Sequence, residues 1–285
     1  MEIVSYNIQF GRGLDRIIDL NRICLSVKGA DIICLQEVEQ GWQRSAEVDQ
    51  PKLISEILPE YYTVFGSSFD VDNSVKDEQG HVVNRRRRHG VMILSAWPIL
   101  SSRTFNLAKI HYADKFNMQM SFVEAVIETE DKAIRVYNYH AGYLGSEERL
   151  NQVKQLVEAY QTSPREHGAW SGKPDIDGDD WSNRRETPEM PDTAIVCGDF
   201  NCSPDSSEFQ YLIGNSDLVD CWSVSDPGNL NTSTRRRNIT EDVKVAGKID
   251  HIFVSQDLVN NVQRVTIDHE AEGSDHKPVR CFMHS

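Results

Sequence analysis

The stretch Ala194-Ile195-Val196-Cys197-Gly198-Asp199-Phe200-Asn201 carries the clearest structural signal in this 285-residue chain. Its apolar first half predicts a buried strand, and strand side chains alternate between two faces. Asp199 and Asn201 should therefore point the same way at the strand end. A carboxylate can bind a metal or orient a water, and an amide can donate to a charged oxygen. An Asx turn would use the same two residues, so the stretch alone leaves both interpretations open.

Several other segments share this design, in which an apolar strand ends in polar or ionisable side chains. Any one such residue is an ordinary turn or surface residue, but their recurrence along one chain indicates a shared site. The polar residues at these strand ends are Asn7, Glu37, His140, Asp250, Asp275 and His276.

Taken in order with Asp199 and Asn201, these residues resemble the motif set of the endonuclease/exonuclease/phosphatase superfamily of metal-dependent phosphoesterases. The resemblance runs from Asn7 to Val279, and it includes the strand-like residues 89–95 and the helix start at 149–152. This superfamily includes deoxyribonucleases, neutral sphingomyelinases, deadenylases and inositol polyphosphate phosphatases. The implied fold is a four-layered α/β sandwich, with two mixed β-sheets packed face to face and helices outside.

The resemblance also implies which residues bind the metal and the substrate. Glu37 and Asp275, together with Asn7, would bind Mg²⁺ or Mn²⁺, which prefer hard oxygen ligands. Asn7, Asn201 and His140 would contact the substrate.

The implied catalytic residues are His140, Asp199, Asn201, Asp250 and His276. Asp199 would position or deprotonate the attacking water. His276 would hydrogen-bond a phosphoryl oxygen or act as general base, and Asp250 would fix its tautomer. His140 would donate to the scissile phosphate or to the leaving oxygen.

Composition and charge narrow the class of protein. The net charge of −14 argues against a protein that coats nucleic acid nonspecifically, because such binding depends on neutralised phosphates. Two basic clusters, residues 85–88 and 235–237, could still steer an anionic substrate if they converge. The other interpretation is two solvated loops.

One catalytic domain over residues 1–285 is expected, because the site residues come from both halves of the chain. No signal peptide or membrane-spanning run is visible, so a cytoplasmic location is expected. Apolar surroundings predict buried, free thiols at Cys24, Cys34, Cys197 and Cys281. The oligomeric state is left open.

Local patterns predict helices near residues 14–28, 51–58, 146–160 and 204–213, the last capped by Ser203 with Pro204 at its first position. Residues 120–128 and 133–139 predict an antiparallel hairpin. A stretch rich in Gly, Pro, Asp and Trp at about 167–192 predicts a loop insertion, which could form one wall of the cleft.

The expected function is a divalent-metal-dependent hydrolase of phosphoesters, foremost a phosphodiesterase that acts on a small diester or a lipid headgroup. A nuclease acting on DNA or RNA and a phosphomonoesterase are alternatives of the same class. A catalytically inactive binding module on this fold is the alternative from another class. The intact residue set argues against it.

Overall fold

Two six-stranded β-sheets form the frame of the computed structural model, which describes residues 1–172, 190–225, 233–235 and 247–284. The strands are β1 (Glu2–Asn7), β2 (Ile32–Gln40), β3 (Tyr62–Asp72), β4 (Val75–Lys76), β5 (Val82–Val83), β6 (Arg86–Ser95), β7 (Ile99–Asn106), β8 (Ser121–Glu128), β9 (Ala133–His140), β10 (Ala194–Asp199), β11 (Val219–Asp220), β12 (Asp250–Val254), β13 (Val262–Ile267) and β14 (Val279–Met283). The α-helices are α1 (Leu20–Val27), α2 (Gln50–Ile57), α3 (Ser146–Glu166), α4 (Ser207–Asn215) and α5 (Cys221–Ser225). Most of the predicted insertion, residues 173–189, lies outside the described residues.

The two sheets pack face to face across an apolar interior. The first sheet has the strand order β13-β14-β1-β2-β6-β3, and the second has β11-β12-β10-β9-β8-β7. Both sheets mix parallel and antiparallel pairs, since β1 is parallel to β2 and antiparallel to β14. Ile3 and Ile93 from one sheet lie in the same buried cluster as Val123 and Ile195 from the other. The predicted pair of mixed sheets is confirmed.

Helices cover both outer faces. Helix α1 buries Leu20, Ile23, Cys24 and Val27, the spacing of one helical stripe, against the outer face of the first sheet. Helices α3 and α4 pack together and cover the second sheet through a separate apolar cluster. The order of layers is helix, sheet, sheet and helix, as predicted.

The strand register brings the site residues to one edge. Asn7 ends β1, and His140 and Asp199 end the parallel strands β9 and β10 opposite each other. Strand β12 runs antiparallel to β10, so its first residue, Asp250, lies opposite Asp199. Residues far apart in sequence therefore meet where strand ends from both sheets converge.

Two predicted helix starts are wrong, and capping explains both. Helix α1 begins at Leu20 because the Asp19 side chain accepts hydrogen bonds from the backbone N–H groups of Asn21 and Arg22. Helix α4 begins at Ser207 because Ser206, not Ser203, is its N-cap and accepts from the backbone N–H of Phe209 at 3.2 Å. The Ser203 hydroxyl donates to a nearby aspartate instead.

The remaining local predictions hold. Strands β8 and β9 pair as the predicted antiparallel hairpin. Helix α3 begins at Ser146 as predicted and continues to Glu166. All six cysteines are free and buried. Within the described ranges, no helix is both long and apolar enough to cross a membrane.

Candidate active site

The side chain of Asn7 joins the two sheets at the site. Its Nδ2 donates to Oδ2 of Asp199 at 2.9 Å and to Oε1 of Glu37 at 3.0 Å. Its Oδ1 accepts from the backbone N–H of Gln9 at 3.0 Å, which fixes the amide orientation. Asn7 therefore holds two carboxylates that come from different sheets.

Glu37 occupies a β-bulge in β2. The register with β6 shifts between Gln36 and Val38, and Glu37 has φ of 59°, in the left-handed region that non-glycine residues rarely adopt. The bulge turns the Glu37 side chain into the cleft between the sheets instead of leaving it in the regular alternation. Backbone strain of this kind is concentrated at functional sites.

Asp250 and His276 form a buried pair. Nδ1 of His276 lies 3.0 Å from Oδ2 and 3.1 Å from Oδ1 of Asp250. On the other side of the ring, Nε2 lies 3.7 Å from Oδ2 of Asp199. Burial opposes a charged imidazole, but the carboxylates of Asp250 and Asp199 outweigh it and raise the pKa of His276 to about 10. The ring is a hydrogen-bond donor toward the cleft.

His140 is a second imidazole beside Asp199, with its Nε2 at 3.7 Å from Oδ2 of Asp199. Burial lowers the pKa of His140 to about 4 despite that carboxylate. His140 is therefore neutral at pH 7, and its contact with Asp199 is not an ion pair. The two histidines that flank Asp199 differ in charge because only His276 has a second carboxylate against its ring.

The Asp199 and Asn201 corner contains the Asx turn that the sequence allowed. The backbone N–H of Asn201 donates to Oδ1 of Asp199 at 2.9 Å, and Asn201 has φ of 49°. Its Nδ2 donates to the carbonyl of Ala141 at 2.9 Å. Turn chemistry and site chemistry thus use the same residues, and Oδ2 of Asp199 remains directed toward the histidines.

Gly198 allows β10 to approach β9 at this corner. A Cβ at Gly198 would lie 1.8 Å from the carbonyl oxygen of Tyr139, and φ is 149°. Only glycine fits this close backbone approach.

Asp275 lies at the rim of the site. Its Oδ2 lies 3.3 Å from Nη2 of Arg235, and Arg235 pairs with His276 through an isolated β-bridge. The hydroxyl of Thr234 accepts from the backbone N–H of Asp250 at 3.1 Å. The short described segment at residues 233–235 thereby supports both Asp250 and Asp275.

These side chains open into a single cleft of about 370 Å³. Its walls combine the acids Glu37, Asp199 and Asp275 with His140 and His276. Asn201 also lines the cleft, while Asn7 and Asp250 are fully buried behind it. The structure therefore brings all eight predicted site residues together.

The donor atoms suit a hard cation. Carboxylate oxygens of Asp199 and Asp250 lie within 4.8 Å of each other in the described part of the chain, and the third member of this cluster, His276, is a protonated donor rather than a ligand. The predicted metal ligands Glu37 and Asp275 line the same cleft. Three negatively charged carboxylates line this small cleft, and their negative charge favours the binding of a cation. The site is chemically fit for a divalent metal.

The predicted basic clusters contribute unequally. Arg86 and Arg88 form ion pairs with Asp70 at 2.7 Å and 3.2 Å, and they line a separate groove beside the cleft. Of residues 235–237, only Arg235 is described, and it lines the cleft.

Sequence reasoning missed His89 and Gln9. His89 is 1% exposed and lines the cleft beside Glu37 and His140. It is the first of the strand-like residues 89–95, but only the cross-strand register shows which way its side chain points. Gln9 contributes its backbone N–H, a group that every residue except proline has, so the residue type at this position gives no indication of the role.

Comparisons with known proteins agree with this architecture. The sequence profile described as the endonuclease/exonuclease/phosphatase family matches residues 4–276. A search of curated protein sequences finds no match.

Solved structures share the fold at low sequence identity. An endonuclease/exonuclease/phosphatase from Beutenbergia cavernae is 18% identical, with a TM-score of 0.71 over 100% of this chain and 72% of that one. A mannosyl-6-phosphatase from Bacteroides thetaiotaomicron is 17% identical, with a TM-score of 0.66 and full coverage (100%) of both chains. A 3'-5' exonuclease from Neisseria meningitidis is 16% identical, with a TM-score of 0.60 and 100% coverage of both chains.

At such identities these neighbours show the fold alone, whereas the family profile spans nearly the whole chain and every predicted site residue. The chain belongs to the endonuclease/exonuclease/phosphatase family, whose members hydrolyse phosphoesters.

Proposed function

We propose that this protein is a divalent-metal-dependent phosphodiesterase that uses Mg²⁺ or Mn²⁺. The observation that carries the proposal is the position of Asp199, which is held by Asn7 at 2.9 Å and flanked by His140 and His276 at 3.7 Å each. A carboxylate beside two hydrogen-bonding rings can take a proton from a water while the rings contact the phosphoryl and leaving oxygens.

Glu37 and Asp275 are the proposed metal ligands. When bound, the metal supplies positive charge to the phosphoryl oxygens and lowers the barrier to attack on an anion. Asn7 donates to Glu37, so its proposed role is to orient that ligand, with its own oxygen already accepting from Gln9. In metal sites, a carboxylate that binds the metal is typically also held by a hydrogen bond from a neighbouring side chain.

The remaining steps are assigned to side chains around Asp199. Asp199 accepts a proton from the attacking water as the water oxygen forms its bond to phosphorus. His276 donates from Nε2 to a phosphoryl oxygen, because its raised pKa of about 10 keeps both ring nitrogens protonated while Nδ1 donates to the Asp250 carboxylate at 3.0 Å. His140, a neutral donor, hydrogen-bonds the leaving oxygen as the ester bond breaks. Asn201 shapes the corner and contacts the substrate.

The charge of the cleft favours a diester over a monoester. Among the described lining residues, the three cations are already paired: Arg235 with Asp275, Arg44 with Glu39, and the protonated His276 with Asp250. A diester brings one negative charge into this acidic cleft, whereas a monoester dianion brings two. Even with a divalent metal bound, the second charge adds to the repulsion from the carboxylates that line the cleft, so the diester is the better match.

Hydrolysis of bis(p-nitrophenyl) phosphate and p-nitrophenyl phosphate, each with Mg²⁺, Mn²⁺ or EDTA, tests the proposal. We expect faster cleavage of the diester, loss with EDTA, and loss in His276→Ala. Faster cleavage of the monoester would show a phosphomonoesterase instead. Cleavage of neither, together with no nicking of plasmid DNA, would support the inactive binding module.

A further inference from the structure

The catalytic cleft continues into an aromatic wall that the proposed chemistry does not use. The rings of Trp42 and Phe69 are stacked, with centroids 5.9 Å apart and an interplanar angle of 18°. Phe116 meets Phe69 edge to face at 6.3 Å and 85°. All three line the same cleft as Glu37 and Asp199. Trp42 and Phe69 are half-buried and Phe116 is exposed, and aromatic side chains that line a cleft are typical of ligand-binding pockets.

This wall is held in place before any ligand arrives. The indole N–H of Trp42 donates to the carbonyl of Arg88 at 2.7 Å. The guanidinium of Arg44 lies 5.0 Å from the Trp42 ring and donates from Nε to the buried Glu39 at 2.9 Å. A fixed indole loses little conformational entropy when a ligand stacks on it. In contrast, Phe116 is 68% exposed, so its ring is free to cover a ligand.

His89 supplies an unsatisfied polar group between the wall and the catalytic residues. Phe69 and His89 are opposite each other in the β3–β6 ladder, so their side chains share one face of the sheet. His89 is 1% exposed, and within the described ranges neither of its ring nitrogens has a hydrogen-bond partner. A buried polar group without a partner is costly, so a ligand that hydrogen-bonds His89 would remove that penalty.

We propose that Trp42, Phe69, Phe116 and His89 form a subsite for a flat, hydrogen-bonding ring attached to the scissile phosphate, the chemistry of a nucleobase. This inference rests on the proposed phosphoesterase function and names its substrate class. Aromatic faces accept the ring by stacking, and a neutral imidazole can both donate to and accept from its edge.

A sugar or an alkyl chain fits this subsite less well. Each sugar hydroxyl needs a polar partner, yet the Trp42 N–H and the Arg44 guanidinium are already bonded within the wall. The neighbouring lining residues Met118 and Met120 are apolar. An alkyl chain would match the apolar wall but would leave His89 without a partner. A polynucleotide would need a track of free cations, and both arginines that line the described cleft are paired.

The test is calorimetric titration of the full chain, in Mg²⁺, with thymidine 5′-monophosphate and with 2-deoxyribose 5-phosphate. The two ligands share the sugar phosphate, and the nucleotide carries a base where the sugar phosphate carries an anomeric hydroxyl, so the ratio of their dissociation constants reports the ring subsite. We expect the nucleotide to bind at least roughly tenfold more tightly. Phe116→Ala and His89→Phe should each remove most of that ratio.

Tyr62→Ala is the matched control, because Tyr62 is 52% exposed and lies at the other end of β3. Because Phe116 is exposed, its alanine variant should fold even if a His89 variant does not. Equal affinities for the two ligands would overturn the ring subsite, whatever the diester assay returns. Tighter binding of the sugar phosphate that depends on Phe116 would overturn it in favour of a sugar. A base preference without hydrolysis would uphold the subsite and refute the phosphodiesterase.

Discussion

Asp250 and His276 form a hydrogen-bonded pair at 3.0 Å whose partners come from different sheets, on β12 and just before β14. The carboxylate fixes the ring orientation, so that Nε2 faces Asp199. In the proposed mechanism this relationship separates two roles: Asp250 positions the ring, and His276 contacts the substrate.

Asp250→Asn should lower kcat for bis(p-nitrophenyl) phosphate by about 10²- to 10⁴-fold with a small change in KM. The amide keeps the shape of the carboxylate but removes the charge that stabilises the protonated ring. Steady-state kinetics with Mn²⁺ measures the effect. Asp268→Asn, at a half-buried position directly after β13 and outside the cleft, is the control and should keep wild-type kcat. Unchanged kcat in Asp250→Asn would contradict the positioning role.

Glu37→Gln should weaken Mn²⁺ binding by at least about tenfold, because one ligand charge is lost while Asn7 retains a side-chain partner. Calorimetric titration with Mn²⁺ gives the affinity directly, without relying on turnover. Glu47→Gln changes an exposed acid of the same type and should bind Mn²⁺ as the wild type does. Wild-type affinity in Glu37→Gln would remove Glu37 from the proposed metal site.

Gly198→Ala should destabilise the fold by about 3 kcal/mol or more, because the new Cβ would lie 1.8 Å from the carbonyl oxygen of Tyr139. Urea unfolding measures the loss. At Gly214 in α4, no described atom lies within 4 Å of an added Cβ. Gly214→Ala should therefore be neutral or slightly stabilising. A stable Gly198→Ala protein would show that the strands can separate at this corner.

His251 should make the fold sensitive to mild acid. Burial lowers the pKa of His251 to about 4, against about 6.5 in an unfolded chain. Between these values the unfolded chain binds a proton that the folded chain does not, so the free energy of unfolding falls as pH falls. The loss from this residue approaches on the order of 3 kcal/mol at pH 4. His89 and His140 shift in the same direction.

His251→Gln is the matching variant, because a glutamine amide can still donate to the carbonyl of Cys202, which Nε2 of His251 contacts at 2.9 Å. Thermal unfolding from pH 7.5 to 4.5 should show a smaller decline in Tm for the variant than for the wild type. Parallel declines would mean that His251 is protonated in the folded protein.

Prediction from sequence succeeded where the signal is local or repeated. Alternating apolar strands, the β8–β9 hairpin and the helix start at Ser146 follow from nearby residues alone. The starts of α1 and α4 were missed because several residues compete to cap each helix. Asp19 and Ser206 succeed because their side chains reach the free N–H groups. Capping geometry is decided by the folded backbone rather than by residue type.

The sequence by itself indicated the family, because its strand-end polar residues occur in that family's order, and the resemblance in turn implied the sandwich of two sheets and the set of residues at the site. Only the tertiary structure decided how those residues are used. The left-handed bulge at Glu37, the opposite charge states of His140 and His276, and the unpartnered ring of His89 all depend on which strand ends meet. Burial, hydrogen-bond partners and pKa values depend on neighbours that the fold brings together across the two sheets. The residue order alone does not give the distances between those neighbours.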